Sequence, residues 1–261
     1  MELCTLASGS SGNCILLSTG FGHVLVDAGI SCRRITAALA EWGLTPDDLS
    51  GILITHEHRD HTAGLATLTK RYHLPIYTSP GTADALCQIL PETAGVVHML
   101  EADKSFDLGG FTVEPFPTSH DAAEPMGFTL TGEGRKAAVV TDLGYVSDEV
   151  LDGVLGCDLL LCEANHDVEW LRSGPYPYYL KQRILGDQGH LSNEAGAALA
   201  LKCVEQGAKT VILAHLSAEN NTPAHALDVV GTTLRSAGVD PEKDITLAAA
   251  PRSRASRVFA V

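Results

Sequence analysis

Short apolar runs rich in branched residues alternate along this chain with stretches that repeat apolar positions every three or four residues. The first rhythm marks buried strands and the second amphipathic helices. Glu2–Leu6, Cys14–Ser18 and His23–Asp27 read as strands, the last two a hairpin around Thr19-Gly20-Phe21-Gly22. Ser31 caps a helix to about Trp42, and Gly43 stops it. Ile52-Leu53-Ile54 is a strand ended by Thr55-His56, and a helix is expected over about Thr62–Tyr72. Further strands are predicted at Pro75–Tyr77, Val96–Leu100, Lys104–Phe106, Phe111–Pro117, Phe128–Thr131, Lys136–Val140 and Cys157–Cys162. Helices fall at Pro80–Leu90 and Ser147–Leu155.

Residues 164–191 hold no steady rhythm; a short helix after Asn165-His166-Asp167 is broken by Gly174-Pro175-Tyr176-Pro177. Ser192 then caps an Ala/Leu helix to about Gln206. Strand Thr210–Ala214, helix Thr222–Ser236 and strands near Ile245–Leu247 and Arg257–Val261 complete the pattern. The two halves echo each other, strands first and helices after. That order predicts an α/β (α+β) fold of two face-to-face sheets with helices on both outer faces, a four-layer αββα sandwich. No low-complexity segment or linker divides the chain, so residues 1–261 are expected to form one domain.

Composition narrows this little. With 261 residues, 45% hydrophobic and 19% charged, the chain can bury a large core. No basic leader precedes an apolar stretch at the start, and no run approaches the ~20 residues that span a bilayer. Seven scattered cysteines, none spaced Cys-x-x-Cys, fit small core residues in a reducing cytoplasm better than a disulfide framework or a zinc ribbon. The formal charge of −14 counts against a protein that coats nucleic acid, although a local basic patch can coexist with it.

The chemistry gathers at His56-Glu57-His58-Arg59-Asp60-His61, on the turn between a strand and a helix. Three imidazoles and a carboxylate so close together suit two neighbouring metal ions rather than one. A dinuclear site needs more ligands than these four, and three later strand ends offer them: His120 in Thr118-Ser119-His120-Asp121, Asp142 in Val139-Val140-Thr141-Asp142, and His215 in Ile212-Leu213-Ala214-His215. In each, a hydrophobic run delivers a polar residue at its end. An all-N/O donor set tolerates Zn²⁺ or Mn²⁺. Asp60 is expected to orient a water as well as bind metal. The turn Ser8-Gly9-Ser10-Ser11-Gly12-Asn13 could present backbone N–H groups to an anion, though such turns are usually only turns.

The order His56-x-His58-x-Asp60-His61, His120, Asp142, His215 resembles the metallo-β-lactamase fold superfamily, whose αββα sandwich agrees with the pattern above. The resemblance implies that His56, His58 and His120 hold one ion, that Asp60, His61 and His215 hold the other, and that Asp142 bridges both. It favours the hydrolase and nuclease branches over antibiotic hydrolysis, since the lactamases that use two metals have a Cys ligand in that place. Cys162-Glu163-Ala164, Gly189-His190-Leu191-Ser192-Asn193-Glu194-Ala195 and Ala214-His215-Leu216-Ser217 are similar to phosphodiesterase members such as RNase Z. There the matching Glu and His stand beside the scissile phosphate, which gives Glu163 and His190 the role of an acid pair for the leaving oxygen. Together with Ala7–Asn13 and Glu163-Ala164-Asn165-His166-Asp167, these motifs resemble the YycJ (WalJ) subfamily, implicated in degrading DNA from the 5′ end. The larger nucleases' β-CASP insertion and the RNase Z arm have no counterpart in this chain.

The resemblance therefore implies a cytoplasmic dinuclear phosphodiesterase acting on nucleic acid, DNA before RNA, as a 5′-to-3′ exonuclease. Asn165 and His166 are candidate phosphate contacts. Tyr176, Tyr178, Lys181 and Arg183 lie in an aromatic-basic stretch between the Glu163 and His190 motifs, where rings can stack on bases and cations hold phosphates. Two enzymatic rivals use the same ligands: a thioester or small-ester hydrolase of the glyoxalase II kind, which the net charge favours, and an RNA-processing nuclease. A non-enzymatic protein with structural metals is disfavoured, because structural zinc sites are usually closed and Cys-rich.

Overall fold

A computed structural model describes residues 1–102 and 104–261. Strands β1 (Glu2–Ala7), β2 (Cys14–Thr19) and β3 (Gly22–Val26) form an antiparallel meander. Helix α1 (Cys32–Glu41), capped by the Ser31 hydroxyl, carries the chain over to β4 (Leu49–Leu53), parallel to β3. Helices α2 (Arg59–Thr62) and α3 (Leu65–Tyr72) lead to β5 (Ile76–Thr78), and α4 (Pro80–Ile89) leads to β6 (Val97–Met99), again in parallel. The second sheet begins with β7 (Phe106–Leu108), β8 (Phe111–Pro117), β9 (Met126–Gly132) and β10 (Arg135–Val140), all antiparallel neighbours. After α5 (Asp148–Val154) comes β11 (Leu159–Glu163). Helices α6 (Val168–Ser173), α7 (Tyr178–Leu185) and α8 (Asn193–Glu205) separate it from β12 (Thr210–Ala214), and α9 (Pro223–Ser236) precedes β13 (Thr246–Ala249). Finally β14 (Phe259–Ala260) returns to the first sheet beside β1. Each sheet has seven strands, in the orders β14-β1-β2-β3-β4-β5-β6 and β13-β12-β11-β10-β9-β8-β7.

The period-two rhythm of the strands sorts their side chains between layers. Ala137, Val139, Leu159, Leu161, Ile212 and Ala214 point inward and meet Leu17, Val24 and Val26 of the first sheet. Their neighbours Ala138, Val140, Leu160, Cys162, Val211 and Leu213 point outward, against residues of α5, α8 and α9. A third cluster joins the outer face of the first sheet to α1, α3 and α4. The αββα sandwich expected from the sequence is the observed architecture. Strands buried on both faces read as continuous apolar runs, and each buried Leu, Val or Ile stabilises the fold by about 1.5–3 kcal/mol. The cysteines are all free, and six of the seven are buried in these clusters.

Three expectations change. The strand expected over Lys104–Phe106 runs over Phe106–Leu108 instead. The predicted helix from Thr62 is broken at Gly64, whose N–H donates to the Ala28 carbonyl at 2.8 Å. A side chain there would meet the Ile30 carbonyl at 2.4 Å, so the chain crosses another loop at close range before α3 begins. The aromatic-basic stretch expected to be irregular forms α7 instead. Pro177 occupies its N-cap position, a place where proline's lost N–H is harmless. That helix buries none of its residues fully, and its apolar Leu180, Ile184 and Leu185 are half-buried.

Candidate active site

Register brings the site together. Val140 pairs with Cys162 and Cys162 with Leu213, so three parallel strands end at one edge. Asp142, Glu163 and His215 emerge there side by side. In the first sheet Val26 pairs with Leu53, which places Asp27 next to the Thr55-His56 turn. Asp60 and His61 sit on the single turn α2, while His58 precedes it in extended conformation. Asp27, Asp142 and His215 all have left-handed backbones, with φ of 62°, 58° and 53°. Non-glycine residues tolerate that conformation where the surroundings over-determine it, commonly at functional sites.

Four groups of side chains could each hold an ion, their candidate ligand atoms lying within 4.8 Å of one another. They are His56, His58 and His120; Asp60, His61 and His215; His56, His61 and Asp142; and Asp142, Glu163, His190 and His215. Asp142 is the hub, 3.3 Å from His61 Nε2 and 3.8 Å from His120 Nε2. Asp60 Oδ2 lies 3.6 Å from His61 Nε2 and 3.5 Å from His215 Nε2. His56 Nε2, His215 Nε2 and Asp142 Oδ2 are buried with no hydrogen-bond partner among the described residues. An unsatisfied buried polar atom costs about 1–3 kcal/mol, so three of them within these neighbouring groups fit metal ions with N/O preferences.

The other face of each ring is held by the protein. His61 Nδ1 donates to Asp27 Oδ2 at 2.7 Å, and Asp27 also accepts the Thr55 N–H and hydroxyl. Thr55 Oγ1 is 3.0 Å from His56 Nδ1, and His120 Nδ1 donates to the Gly189 carbonyl at 3.0 Å. These bonds select the tautomer that leaves each Nε2 lone pair facing the centre. Glu163 Oε1 accepts from His215 Nδ1 at 2.8 Å and from His190 Nδ1 at 2.9 Å, and Oε2 accepts the Leu143 and Leu191 N–H groups. Burial alone would raise the Glu163 carboxyl, but the charge and hydrogen bond of His190, with that of His215, bring it down to about 2. Burial works against the His190 cation too, yet the Glu163 carboxylate beside it raises its pKa.

A cleft of about 270 Å³ opens over this centre. His58, Asp60, His120, Asp142, His190 and His215 form its floor, with Ser10, Asn165, Tyr176, Arg183 and Ser217 among its walls. Of the expected substrate contacts, Asn165, Tyr176 and Arg183 reach the cleft. The Asn165 amide is spent on the His215 carbonyl at 2.8 Å, and Arg183 pairs with Asp121. His166, Tyr178 and Lys181 do not line it. The His166 ring is buried at 1% exposure, Tyr178 is 78% exposed away from the cleft, and Lys181 Nζ donates to the Arg172 carbonyl at 2.7 Å. Sequence reasoning missed Asp27, Thr55 and Asp121, and read Ser8 and Asn13 only as part of a turn that could face an anion, not as partners of the histidines. Ser8 Oγ accepts the His215 N–H at 2.8 Å, and Asn13 Nδ2 sits 3.0 Å from His61 Nε2. Asp27 carried a usable signal, since it ends an apolar strand in the same form as Asp142.

Residues 23–216 match the beta-lactamase superfamily domain. The chain is a member of the beta-lactamase superfamily. This superfamily member is 44% identical over 219 residues to the exodeoxyribonuclease WalJ of Streptococcus pneumoniae, covering 83% of this chain and 81% of that one. It is 39% identical over 241 residues to the exodeoxyribonuclease YycJ of Bacillus anthracis, covering 91% and 90%. The metallo-β-lactamase fold protein YhfI of Bacillus subtilis superposes with a TM-score of 0.72 at 15% identity, over 99% of this chain and 98% of that one. The superfamily fold is therefore the fold of this chain. Among the described residues no helix is long and apolar enough to cross a membrane.

Proposed function

We propose that this chain is a metal-dependent exodeoxyribonuclease, a hydrolase of phosphodiester bonds that removes nucleotides from a DNA end in the 5′-to-3′ direction. The reading includes two divalent ions, Zn²⁺ or Mn²⁺: one held by His56, His58 and His120, the other by Asp60, His61 and His215, with Asp142 between them. It also makes residues 1–261 one working domain, acting in the cytoplasm. The observation that carries it is the Glu163–His190 pair beside the metal-type cluster, in a chain 39–44% identical to exodeoxyribonucleases over most of its length. Thioester hydrolysis releases a thiolate, a better leaving group than a sugar alkoxide, and has no need of that pair.

Bound at these residues, divalent metal would supply Lewis-acid charge stabilisation and activation of water. The chain's own groups do the rest. Asp60, partly open to the cleft, accepts a hydrogen bond from the attacking water and fixes its direction. Glu163 keeps a proton on His190 Nδ1, so that the protonated ring can give its Nε2 proton to the departing sugar oxygen. The Leu143 and Leu191 N–H groups hold Glu163 in place and keep it ionised. Arg183 and Tyr176 line the approach and suit a phosphate and a base.

The test is degradation of end-labelled duplex DNA, single-stranded DNA and RNA by metal-loaded protein beside Asp60→Asn and Glu163→Gln. Mononucleotides released from DNA by the wild type, with blockage when the 5′ end is modified, are expected. Equal or faster cleavage of RNA, or cleavage of a thioester with none of DNA, would replace the reading.

A further inference from the structure

Two charged residues stand between the ligand-type side chains of His56-Glu57-His58-Arg59-Asp60-His61, and the fold uses only one of them. Glu57 Oε1 accepts the Ala123 N–H at 2.8 Å, which ties the motif to the loop after β8. The Arg59 side chain is exposed and makes no ion pair or hydrogen bond among the described residues, its carbonyl alone accepting the Ala63 N–H at 2.9 Å. Arg33, Arg71 and Arg254 are likewise exposed without a side-chain partner among the described residues, so what sets Arg59 apart is its place one residue from the candidate centre.

Arg59 lines a second cleft, of about 230 Å³, with Ser10, Ser11, Gly29, Asp60 and Ala63. This cleft shares Ser10 and Asp60 with the one over the metal-type cluster, so the two adjoin across a single turn. The hydroxyls and backbone N–H groups of Ser10 and Ser11 donate to no protein acceptor among the described residues. Their turn is nevertheless fixed. Gly12 N–H donates to the Gly9 carbonyl at 2.8 Å, Gly9 N–H to Asn13 Oδ1 at 2.8 Å, and Asn13 N–H to the Asp60 carbonyl at 2.7 Å. Gly12 has φ of 147°, and a Cβ there would meet the Gly29 carbonyl at 2.6 Å. The free donors are thus held on a rigid support that is itself bonded to the metal-binding loop.

We propose that Arg59, Ser10 and Ser11 form a phosphate subsite that binds a second phosphate of the substrate strand, next to the one being cleaved. The proposal rests on the nucleic-acid reading above and deepens it. A planar guanidinium fork, two hydroxyls and two N–H groups can all donate, which is what a phosphate's oxygens require. The one acid on the wall, Asp60, turns its Oδ2 toward His61 and His215 and away from this role. Arg183, already paired with Asp121, stands on the walls of the first cleft and the unpaired Arg59 on those of the second, so a strand crossing Asp60 meets its free guanidinium in the second. A substrate with a single phosphate cannot fill both clefts. The subsite therefore selects oligonucleotides over small phosphodiesters.

The test compares wild type, Arg59→Ala, Arg59→Lys and Ser10→Ala on DNA and on bis(4-nitrophenyl) phosphate. Arg59→Ala is expected to raise KM for DNA about tenfold more than KM for the small diester, the size of one lost charge-assisted contact. Binding of a fluorescent single strand should lose about 0.7 from the slope of log Kd against log salt, one phosphate's share, with Arg59→Lys retaining it. Strands carrying a 5′-phosphate, a 3′-phosphate or neither separate the sources. A loss on one phosphorylated end alone assigns a terminal monoester, and an equal loss on all three assigns an internal diester. Wild-type KM and salt slope in Arg59→Ala, in protein that binds and cuts DNA, would overturn the subsite alone. A wild type that neither binds nor cuts DNA would overturn both readings.

Discussion

Asp27→Asn replaces one buried oxygen by an amide nitrogen, and hydrogen-bond accounting fixes what must follow. The carboxylate serves two kinds of donor through two oxygens: Oδ1 accepts the Thr55 N–H at 3.0 Å, and Oδ2 accepts His61 Nδ1–H at 2.7 Å. An asparagine has one acceptor oxygen. If that oxygen faces His61, the Thr55 N–H, buried at the strand end, points at an NH₂ group. If it faces Thr55, the NH₂ group faces His61 Nδ1 and forces the proton to Nε2, the atom expected to hold metal. The first orientation costs about 1–3 kcal/mol of folding free energy for an unsatisfied buried donor. The second costs about 10–100-fold in metal affinity, the usual effect of losing the residue that orients a ligating histidine. Asparagine tolerates the φ of 62° at this position, so backbone strain does not confuse the result.

The assay is a pair of measurements on one preparation: chemical denaturation of the metal-free protein, and competition of Zn²⁺ against a chromophoric chelator. We expect a loss in one or both that sums to the range above. Any loss of metal should fall on the ion held by His61, so that binding drops from two equivalents toward one at limiting free metal. Wild-type stability together with wild-type affinity for two ions would refute the account of Asp27 and the tautomer argument with it.

Glu163→Gln removes the charge that raises the His190 pKa. Activity that needs protonated His190 falls as pH rises through that raised value. In the variant the fall should come at lower pH, and the rate at its optimum should drop about 10²-fold or more, read from kcat–pH profiles. Asp167 caps α6 at 2.8 Å from the Trp170 N–H and pairs with His225 at 2.8 Å. Slight burial would raise its pKa, but that N–H and His225 lower it, so its contribution is present above the unfolded value and lost as pH falls through the folded one. Asp167→Ala should cost about 1 kcal/mol at neutral pH by denaturation, shrinking below pH ~4. At Gly29 a Cβ would lie 1.6 Å from the Asp60 carbonyl oxygen. Gly29→Ala should cost about 3 kcal/mol, at the upper end of overpacking, and weaken metal binding; calorimetry and chelator competition would show both.

The fold was legible because its strands are buried on both faces. Runs such as Leu159–Cys162 and Val211–Ala214 have no polar positions to confuse them, and Ser31, Ser147, Ser192 and Thr222 cap the helices where the sequence placed them. Two features were not legible. The break at Gly64 comes from a loop that is distant in sequence, and nothing local to residues 59–72 encodes it. Helix α7 has no fully buried residue, its half-buried Leu180, Ile184 and Leu185 make only a short stripe, and the Pro and Tyr residues before it look like a loop.

The site divides along the same line. His56, His58, Asp60, His61, His120, Asp142 and His215 could be named from sequence because they end strands or crowd one turn, where local pattern suffices. What holds them could not. Ser8 meets His215 across 207 positions and Asn13 meets His61 across 48, and those pairings exist only once the sheet edge is assembled. Arg59 shows the converse. Its neighbours in the motif made it look like a spacer, and only the full set of contacts reveals a charge that the fold leaves unspent. A sequence motif names the groups that converge, whereas the structure shows which are already satisfied. An unsatisfied donor beside a satisfied cluster is the better guide to what the protein has yet to bind.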